Sequence, residues 1–243
     1  MDIRIDRVAT NQWVIFDGDA LSKVDPLWFE RAFWEAEGQL TSASRGRGSA
    51  WAIRSTRGEW MLRHYMRGGF AARLNRDKYF WSGFERSRSF REWRLLAHMH
   101  DLGLPSPRPL AARTVRSGLV YRSDLLMELI PDATMFSQWL SQWSGDDESQ
   151  WARVGECVAL FHAHNIYHAD LNTHNLLITS DGVSMIDFDR GAVMAGGGVW
   201  RERNMRRLKR SINKVTGCDC DTDLAGGWKQ LLDAYHARLS QAS

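Results

Sequence analysis

Residues 165–190 carry the pattern on which the fold of this chain depends: N-I-Y-H-A-D-L-N-T-H-N-L-L-I-T-S-D-G-V-S-M-I-D-F-D-R. Two short apolar runs, residues 176–178 and 183–186, are separated by Ser180-Asp181-Gly182. Asp-Gly between two such runs predicts a β-hairpin, because glycine adopts a positive φ at no steric cost.

Polar residues stand at both ends of this predicted hairpin. Asp170 and Asn175 precede the first run, and Asp187 follows the second. Because a hairpin folds back on itself, we expect Asn175 and Asp187 to be neighbours. An amide oxygen beside a carboxylate suits Mg²⁺, which prefers hard oxygen ligands and keeps part of its water shell for substrate phosphates. Asp170 is then available to accept a proton from a hydroxyl. A chance group of polar loop residues is the alternative, but three of them at these spacings favour a catalytic site.

The same residues resemble the catalytic loop and metal-binding strand of the protein-kinase-like fold. The pattern of that fold is H-R-D, a following Asn, and then D-F-G; this chain has His168-Ala169-Asp170, Asn175 and Asp187-Phe188-Asp189. The resemblance implies an α+β, two-lobed protein-kinase-like fold, with an N-terminal antiparallel sheet lobe and a small, mainly helical C-terminal lobe. Ala169 replaces an Arg that responds to activation-loop phosphorylation in many protein kinases, so that regulation is not expected. Asp189 replaces the Gly of D-F-G, and the resulting D-F-D triplet resembles that of small-molecule and sugar kinases more than that of protein kinases.

Length and composition are those of an ordinary globular protein. The chain has 243 residues, 44% of them hydrophobic and 25% charged. Its three cysteines are an odd number, which argues against a disulfide framework. No apolar run approaches the roughly 18–20 residues needed to span a bilayer, and residues 1–7 lack the apolar stretch of a signal peptide. We therefore expect a cytoplasmic location.

The N-terminal part carries features expected of a nucleotide-binding lobe. Gly46 and Gly48 lie in a glycine-rich turn before a predicted strand, where backbone amides can approach phosphate oxygens. Arg63 stands in the next predicted strand, where kinase-like enzymes place a Lys that holds the α- and β-phosphates of ATP. Arg keeps the charge, although its geometry differs from that of Lys. Glu92, on a predicted helix, is the acid best placed to pair with Arg63; the alternative is a surface acid within a row of arginines.

The lobe boundary is predicted from the apolar run at residues 125–130. In a two-lobed kinase this run leads into a hinge, so we expect Glu128 and Leu129 to lie against the nucleotide. Residues 1–130 then form an N-terminal nucleotide-binding lobe, and residues 131–243 form a C-terminal catalytic lobe. Before the hinge the sequence has two apolar runs, at residues 119–121 and 125–130. The remaining patterns predict a strand pair within residues 1–24 and a helix that opens at Asp25-Pro26. Further helices are predicted at residues 87–100, 135–140, 151–165, 200–215 and 224–239.

Positive charge is concentrated in two segments, although the net charge is only +3. Residues 63–94 contain nine Lys or Arg against three acids, interleaved with aromatic residues, and residues 201–214 contain seven against one. Basic and aromatic residues together suit a nucleic acid or an anionic membrane. The alternative is a solvated helix face over core aromatics. For residues 63–94 we favour a binding role, with Arg67, Arg73, Arg76 and Lys78 as the contacts; for residues 201–214 the two interpretations are equally good.

The resemblance extends to a narrower family. The segments 62–74, 90–94, 103–105, 167–175, 186–191 and 207–211 are similar to bacterial lipopolysaccharide core kinases, above all those acting on 3-deoxy-D-manno-octulosonic acid (Kdo). This resemblance implies ATP-dependent phosphorylation, with Mg²⁺, of the 4-hydroxyl of a Kdo residue on a lipid A precursor. It implies peripheral attachment to the cytoplasmic face of the anionic inner membrane, an acidic glycolipid as partner, and no nucleic acid. No protein partner is predicted.

Three alternatives remain open at this point. A lipopolysaccharide heptose kinase would share the fold and catalytic residues but use another acceptor. An antibiotic phosphotransferase or a protein kinase would share Asp170 and Asp187, although the chain has no A-P-E triplet after Asp187 and little room for a long activation loop. A non-enzymatic binding module of the same fold is the least favoured, since such modules usually lose the base or the metal ligand.

Overall fold

The computed structural model describes residues 1–43, 50–66, 77–145, 149–196 and 198–241. The chain divides into two compact units. The first comprises Met1–Asp101 and Pro107–Leu129, and the second comprises Leu102–Ser106 and Ile130–Ser243. The sequence-based boundary left residues 102–106 in the first lobe. They belong with the second unit, where the Met185 N–H donates to the Pro105 carbonyl at 2.9 Å.

The first unit is built on an antiparallel sheet. Its strands are β1 (Ile3–Ala9), β2 (Gln12–Asp17), β3 (Leu40–Ala43), β4 (Ala50–Ser55), β5 (Gly58–His64), β6 (Tyr79–Phe80), β7 (Pro109–Ser117) and β8 (Val120–Glu128). They are ordered β1-β2-β7-β8-β5-β4-β3, with β6 paired to β8. The helices of this unit are α1 (Arg31–Ala36) and α2 (Arg88–Asp101). The predicted N-terminal strand pair and the helix predicted at 87–100 are confirmed.

The segment after Asp25-Pro26 differs from the single helix predicted there. It forms a 3-10 helix, Pro26–Phe29, and then the separate helix α1, with Glu30 extended between them. The break lets both Trp28 and Trp34 enter the core, and the Trp34 indole N–H donates to the Trp28 carbonyl at 2.8 Å. Burial of these two tryptophans in the core therefore decides the conformation of this segment, and the apolar spacing of its residues does not.

The two apolar runs of the sequence, at residues 119–121 and 125–130, contribute to one strand, β8, from Val120 to Glu128. Polar residues separate the two runs in the sequence, and two of them, Ser123 and Asp124, are buried within the strand. Asp124 accepts a hydrogen bond from Arg113 Nε at 2.8 Å, on the neighbouring strand β7. A buried charge needs a partner, and this one is supplied by a strand that sequence patterning did not predict.

The second unit is mainly helical. Its helices are α3 (Phe136–Gln142), α4 (Ser149–Ala163), α5 (Val199–Thr216) and α6 (Ala225–Gln241). Short strands lie between them: β9 (Thr134–Met135), β10 (Ile166–Tyr167), β11 (Leu176–Ile178), β12 (Val183–Met185) and β13 (Ala192–Val193). The four helices predicted for this part of the chain are confirmed.

The predicted hairpin is confirmed as β11 and β12. Its register pairs Leu176 with Met185 and Ile178 with Val183, and the Thr179 N–H donates to the Gly182 carbonyl at 2.9 Å to close the turn. Strand β9 pairs with the other edge of β11. The hairpin is thereby held in a three-stranded sheet, which keeps its open end in a defined position.

Gly155 lets α4 and α6 approach closely. A Cβ at this position would lie 3.0 Å from the Leu231 carbonyl carbon, and nearer still to its oxygen, on backbone that cannot rotate away. We expect Gly155→Ala to lower the free energy of unfolding by about 2 kcal/mol or more, because overpacking forces the helices apart. Urea denaturation measures this loss. Gly226→Ala, at an exposed position of α6, is the control and should not destabilise; equal stability of both variants would contradict the packing argument.

None of the helices in the described ranges is long and apolar enough to cross a membrane.

Candidate active site

His168 connects the loop after β10 to the end of β12. Its Nδ1 accepts a hydrogen bond from the Asp170 N–H at 3.1 Å, and its Nε2 lies 2.9 Å from the Ile186 carbonyl. These partners require the neutral tautomer with the proton on Nε2. Burial lowers the pKa of His168 and favours that neutral form, although the bond to Ile186 opposes the shift. His168 therefore positions Asp170 on one side and the backbone before Asp187 on the other.

Asn175 is held by the same loop. Its Nδ2 donates to the Asp170 carbonyl at 3.0 Å, and its own carbonyl accepts from the Ile186 N–H at 3.0 Å. Asp187 follows directly and adopts a left-handed conformation, with φ of 64°. A non-glycine residue at positive φ is uncommon and costs free energy, so the surrounding bonds must compensate for it. The structure thus brings the neighbourhood of Asn175 and that of Asp187 together at the open end of the hairpin.

The donor set fits Mg²⁺. Because the Asn175 amide nitrogen is engaged, its Oδ1 is the atom left to face a cation, and Asp187 supplies a carboxylate. Among the residues that the structure describes, no three His, Cys, Asp or Glu side chains form a ready-made metal site. Two such oxygens would suit an ion that enters with substrate phosphates and retains part of its water shell.

Asp170 forms an ion pair that sequence reasoning missed. The Arg207 Nη1 donates to the Asp170 Oδ1 at 2.7 Å, with 46% and 57% of the two side chains exposed. Because both side chains are exposed, solvent screening keeps this ion pair weak. The same exposure leaves the Asp170 carboxylate accessible to a substrate, while the bond to Arg207 restrains its orientation.

Helix α5 contacts the loop at residues 168–175, which we call the catalytic loop, through residues that lie on one face of the helix. The Asn204 Nδ2 donates to the His168 carbonyl at 2.8 Å, and the Ser211 Oγ accepts from the Thr173 N–H at 3.1 Å. Asn204, Arg207 and Ser211 are three and four residues apart, and this polar stripe is the sequence signal that could have identified them. From the sequence, this helix was considered for its charge and for the family resemblance of residues 207–211, and its contacts with the loop were not predicted.

In the first unit, the predicted partners Arg63 and Glu92 form an ion pair. The Arg63 Nη1 donates to the Glu92 Oε1 at 3.0 Å, and the Glu92 side chain is only 2% exposed. Tyr65, which sequence reasoning did not select, donates its hydroxyl to the Glu92 Oε2 at 2.5 Å. The Arg63 guanidinium also lies 5.0 Å from the Tyr65 ring centroid. Strand β5 and helix α2 thus fix a cation whose side chain is still 20% exposed.

Two of the predicted nucleotide contacts have their backbone donors engaged. The Glu128 N–H donates to the Arg108 carbonyl and the Leu129 N–H to the Glu59 carbonyl, at 2.9 and 3.0 Å. Neither N–H can serve as an adenine donor, so a role in nucleotide binding falls to the carbonyls or side chains of these residues. The predicted Gly46 and Gly48 lie outside the described residues.

His162 lies beneath the catalytic loop, at the end of α4. It is 1% exposed, its Nδ1 lies 2.8 Å from the Tyr235 hydroxyl, and its Nε2 lies 3.3 Å from the Asn204 Oδ1. Burial lowers the pKa of His162 to about 4, and the hydrogen bond to Asn204 opposes this shift. His162 thus supports Asn204, whose side chain donates to the His168 carbonyl.

This lowered pKa predicts acid destabilisation. Above pH 6.5 the imidazole is neutral in both states, so its contribution to stability is fully present; as the pH falls from 6.5 towards 4, the unfolded chain binds the proton first. We expect a loss of about 2–3 kcal/mol from this group by pH 4.5. Urea unfolding of the protein and of His162→Gln at pH 7 and 4.5 measures it. The variant should lose less stability on acidification, and identical losses would contradict the assignment.

Comparison with known proteins agrees with this geometry. Residues 31–235 match the family model for the lipopolysaccharide kinase (Kdo/WaaP) family. A curated 3-deoxy-D-manno-octulosonic acid kinase from Xylella fastidiosa (strain 9a5c) is 41% identical over 205 residues, which cover 84% of this chain and 81% of the relative. Another of that name from Stenotrophomonas maltophilia (strain R551-3) is 39% identical over 224 residues, covering 91% and 88%.

A solved structure resembles the chain in fold. The structure of WaaP in complex with acyl carrier protein matches it with a TM-score of 0.54 and 17% identity, covering 88% of this chain and 87% of that one. At this identity the likeness concerns the fold alone. The α+β, protein-kinase-like fold class expected from the sequence is confirmed.

Proposed function

Because this chain belongs to the lipopolysaccharide kinase (Kdo/WaaP) family, we propose that it is an ATP-dependent kinase that phosphorylates the 4-hydroxyl of a Kdo residue on a lipid A precursor. The observation that carries the proposal is the joint placement of Asp170, Asn175 and Asp187 by His168 and the hairpin. A phosphotransferase needs a group at the acceptor hydroxyl and oxygen ligands for the ion at the phosphates, and these three residues are the proposed candidates for both roles.

Asp170 is the proposed general base. Its accessible carboxylate accepts the proton of the sugar hydroxyl as the hydroxyl oxygen attacks the γ-phosphorus of ATP. The bond between that phosphorus and the bridging oxygen breaks, and ADP leaves. The work of the protein is mostly positioning, since phosphoryl transfer needs little covalent chemistry from it.

Asn175 and Asp187 are the proposed Mg²⁺ ligands. When bound, the ion neutralises charge on the ATP phosphates. Arg63 is the proposed phosphate-binding cation, positioned by Glu92 and Tyr65, and Gly46 and Gly48 are proposed to offer backbone amides to the phosphates. Glu128 and Leu129 are proposed to contact the nucleotide through their carbonyls or side chains. The first and the second compact unit are accordingly the proposed nucleotide-binding and catalytic lobes.

The proposal is tested with labelled ATP and purified Kdo-bearing lipid A precursor, with mass analysis of the product and NMR assignment of the phosphorylated carbon. The expected product carries one additional phosphate on the 4-oxygen of Kdo. A heptose-bearing core glycolipid and a soluble aminoglycoside serve as competing acceptors. Faster phosphorylation of either would replace the proposed acceptor, and a product modified at another carbon would overturn the 4-hydroxyl assignment.

A peripheral position at the cytoplasmic face of the anionic inner membrane is also proposed. It is supported by the basic and aromatic composition of residues 63–94. Arg67, Arg73 and Arg76 lie outside the described residues, whereas Lys78 lies within them. Each such cation contributes on the order of 1 kcal/mol at an anionic surface, so Arg73→Glu with Arg76→Glu should weaken sedimentation with anionic vesicles and leave the KM for ATP unchanged. Unchanged vesicle binding would mean that residues 63–94 are a solvated surface and not a membrane contact.

The role of Arg63 gives a separate prediction. Arg63→Ala should raise the KM for ATP and lower kcat, and Arg63→Lys should recover part of the loss because it restores charge without the planar fork. Steady-state kinetics with varied ATP measure both effects. Arg54→Ala, which removes an exposed ion pair with Glu59 on the same sheet, is the control and should leave the KM for ATP unchanged. Full activity of Arg63→Ala would transfer the phosphate-binding role to another cation, with Arg47 as the next candidate.

A further inference from the structure

A row of cations runs along the exposed side of α5, and we call it the α5 basic stripe. Its members are Arg203, Arg207, Arg210 and Lys214, all exposed. Their spacings of four, three and four residues place them within about 60° of arc on a helix with 3.6 residues per turn. The first and last members are about 16 Å apart at 1.5 Å of rise per residue.

The stripe has one sign of charge. Among the described residues, no acid pairs with Arg203, Arg210 or Lys214, and the nearby acids Glu202 and Asp221 pair with other bases. No acid stands three or four residues from any stripe member along the helix. Like charges at such spacings destabilise a helix, whereas an ordinary solvated helix face mixes both signs. The stripe therefore carries a repulsion that an anionic ligand would relieve.

The stripe is continuous with the catalytic site. Arg207 belongs to it and is also the residue whose Nη1 donates to the Asp170 Oδ1 at 2.7 Å. A guanidinium has five donors in a rigid fork, so Arg207 retains donors for a second anionic partner. The row of cations thus passes beside the proposed base at Arg207, and Arg210 and Lys214 extend away from it along a helix that Asn204 and Ser211 dock to the catalytic loop.

We propose that the α5 basic stripe binds the anionic head group of the acceptor glycolipid. Arg207 contacts the carboxylate of the sugar acid beside its reacting hydroxyl, and Arg210 and Lys214 contact phosphates farther along the head group. This proposal rests on the proposed function for its ligand. Charge complementarity selects the ligand: the acceptor is an acid carried on a phosphorylated lipid, and Arg forms paired hydrogen bonds with carboxylate and phosphate. Residues 201–214 then have a binding role that their sequence alone left undecided.

The kinetic test uses Arg210→Gln with Lys214→Gln, which removes two stripe charges without touching Asp170. We expect the KM for the Kdo-bearing lipid A precursor to rise about tenfold or more, while the KM for ATP and the melting temperature stay within error. Arg207→Gln should raise the same KM and also lower kcat, because Asp170 loses its restraint. Lys229→Gln with Arg238→Gln, two exposed bases of α6, removes the same charge and should leave the KM for the precursor unchanged.

Direct binding separates the stripe from turnover. The Asp170→Asn protein is sedimented with phosphatidylcholine vesicles that contain the precursor, the precursor stripped of its phosphates, or phosphatidylglycerol at matched surface charge. Binding should be strongest with the intact precursor, and adding the Arg210→Gln and Lys214→Gln changes should weaken it about tenfold. Equal binding to phosphatidylglycerol would overturn the proposal by making the stripe a general membrane contact.

The failures of the two proposals are distinguishable. If the double variant phosphorylates the precursor with an unchanged KM, the binding role of the α5 basic stripe is rejected and the proposed function stands. If the unmodified protein binds the precursor through the stripe but transfers no phosphate to it, the binding role stands and the proposed function is rejected.

Discussion

Asp187→Ala is expected to abolish turnover, with kcat falling on the order of a thousandfold or more. The physical reason is that removing the carboxylate removes one of the two proposed protein ligands of Mg²⁺, and the charge stabilisation supplied by such an ion amounts to several kcal/mol. Phosphate transfer from labelled ATP to the lipid A precursor measures the loss. Titration of nucleotide with and without Mg²⁺ should show that the variant has lost most of the metal-dependent part of ATP affinity.

Asp181→Ala is the matched control for this prediction. Asp181 is an exposed acid at the turn of the same hairpin, and its side chain accepts a hydrogen bond from its neighbour Ser180. Loss of this carboxylate should leave kcat and Mg²⁺-dependent ATP binding within about twofold, since surface changes rarely alter a site elsewhere. Retention of metal-dependent ATP binding by Asp187→Ala would reject Asp187 as a ligand.

Asp170→Asn is expected to lower kcat by roughly 10²–10⁴-fold, the usual contribution of a positioned general base, and to leave ATP affinity nearly unchanged. Asparagine has the shape of aspartate and can still accept the hydrogen bond from Arg207, but it cannot take up the hydroxyl proton. The measurement is a comparison of kcat and of the ATP dissociation constant with those of the unmodified protein. Melting temperatures provide the folding control.

The two variants together test the division of roles. Asp187→Ala should affect nucleotide binding and turnover, whereas Asp170→Asn should affect turnover alone. If Asp170→Asn weakened ATP binding as severely as Asp187→Ala, Asp170 would belong to the nucleotide site and not to the acceptor hydroxyl.

The parts of the site that sequence predicted are those whose geometry is local. His168, Asp170, Asn175 and Asp187 lie within 20 residues of one another, and the Asp-Gly turn sets the register of the hairpin between them. Because hairpin register is decided by turn chemistry and alternation, the neighbours at its open end follow from the sequence. The pairing of Arg63 with Glu92 was also predicted, but from the resemblance to kinase-like enzymes, which pair a cation on this strand with a Glu on the following helix.

Contacts between distant segments could not be predicted in this way. Arg207 meets Asp170 from 37 positions away, and no periodicity states which loop a helix will contact. The buried pair of Arg113 and Asp124 is another such contact. Asp124 interrupts the apolar pattern of β8, so the sequence shows two apolar runs where the structure has one strand.

By itself, the sequence determined the helices of the second unit, the catalytic hairpin and the chemical character of its polar ends, because turn residues and apolar spacing act over a few neighbouring positions. Only the tertiary structure decided that Arg207 is the cation that faces the Asp170 carboxylate, and that the α5 basic stripe passes beside it. The position of a side chain relative to a distant segment depends on the packing of whole helices, and burial of their apolar faces, not local propensity, selects that packing.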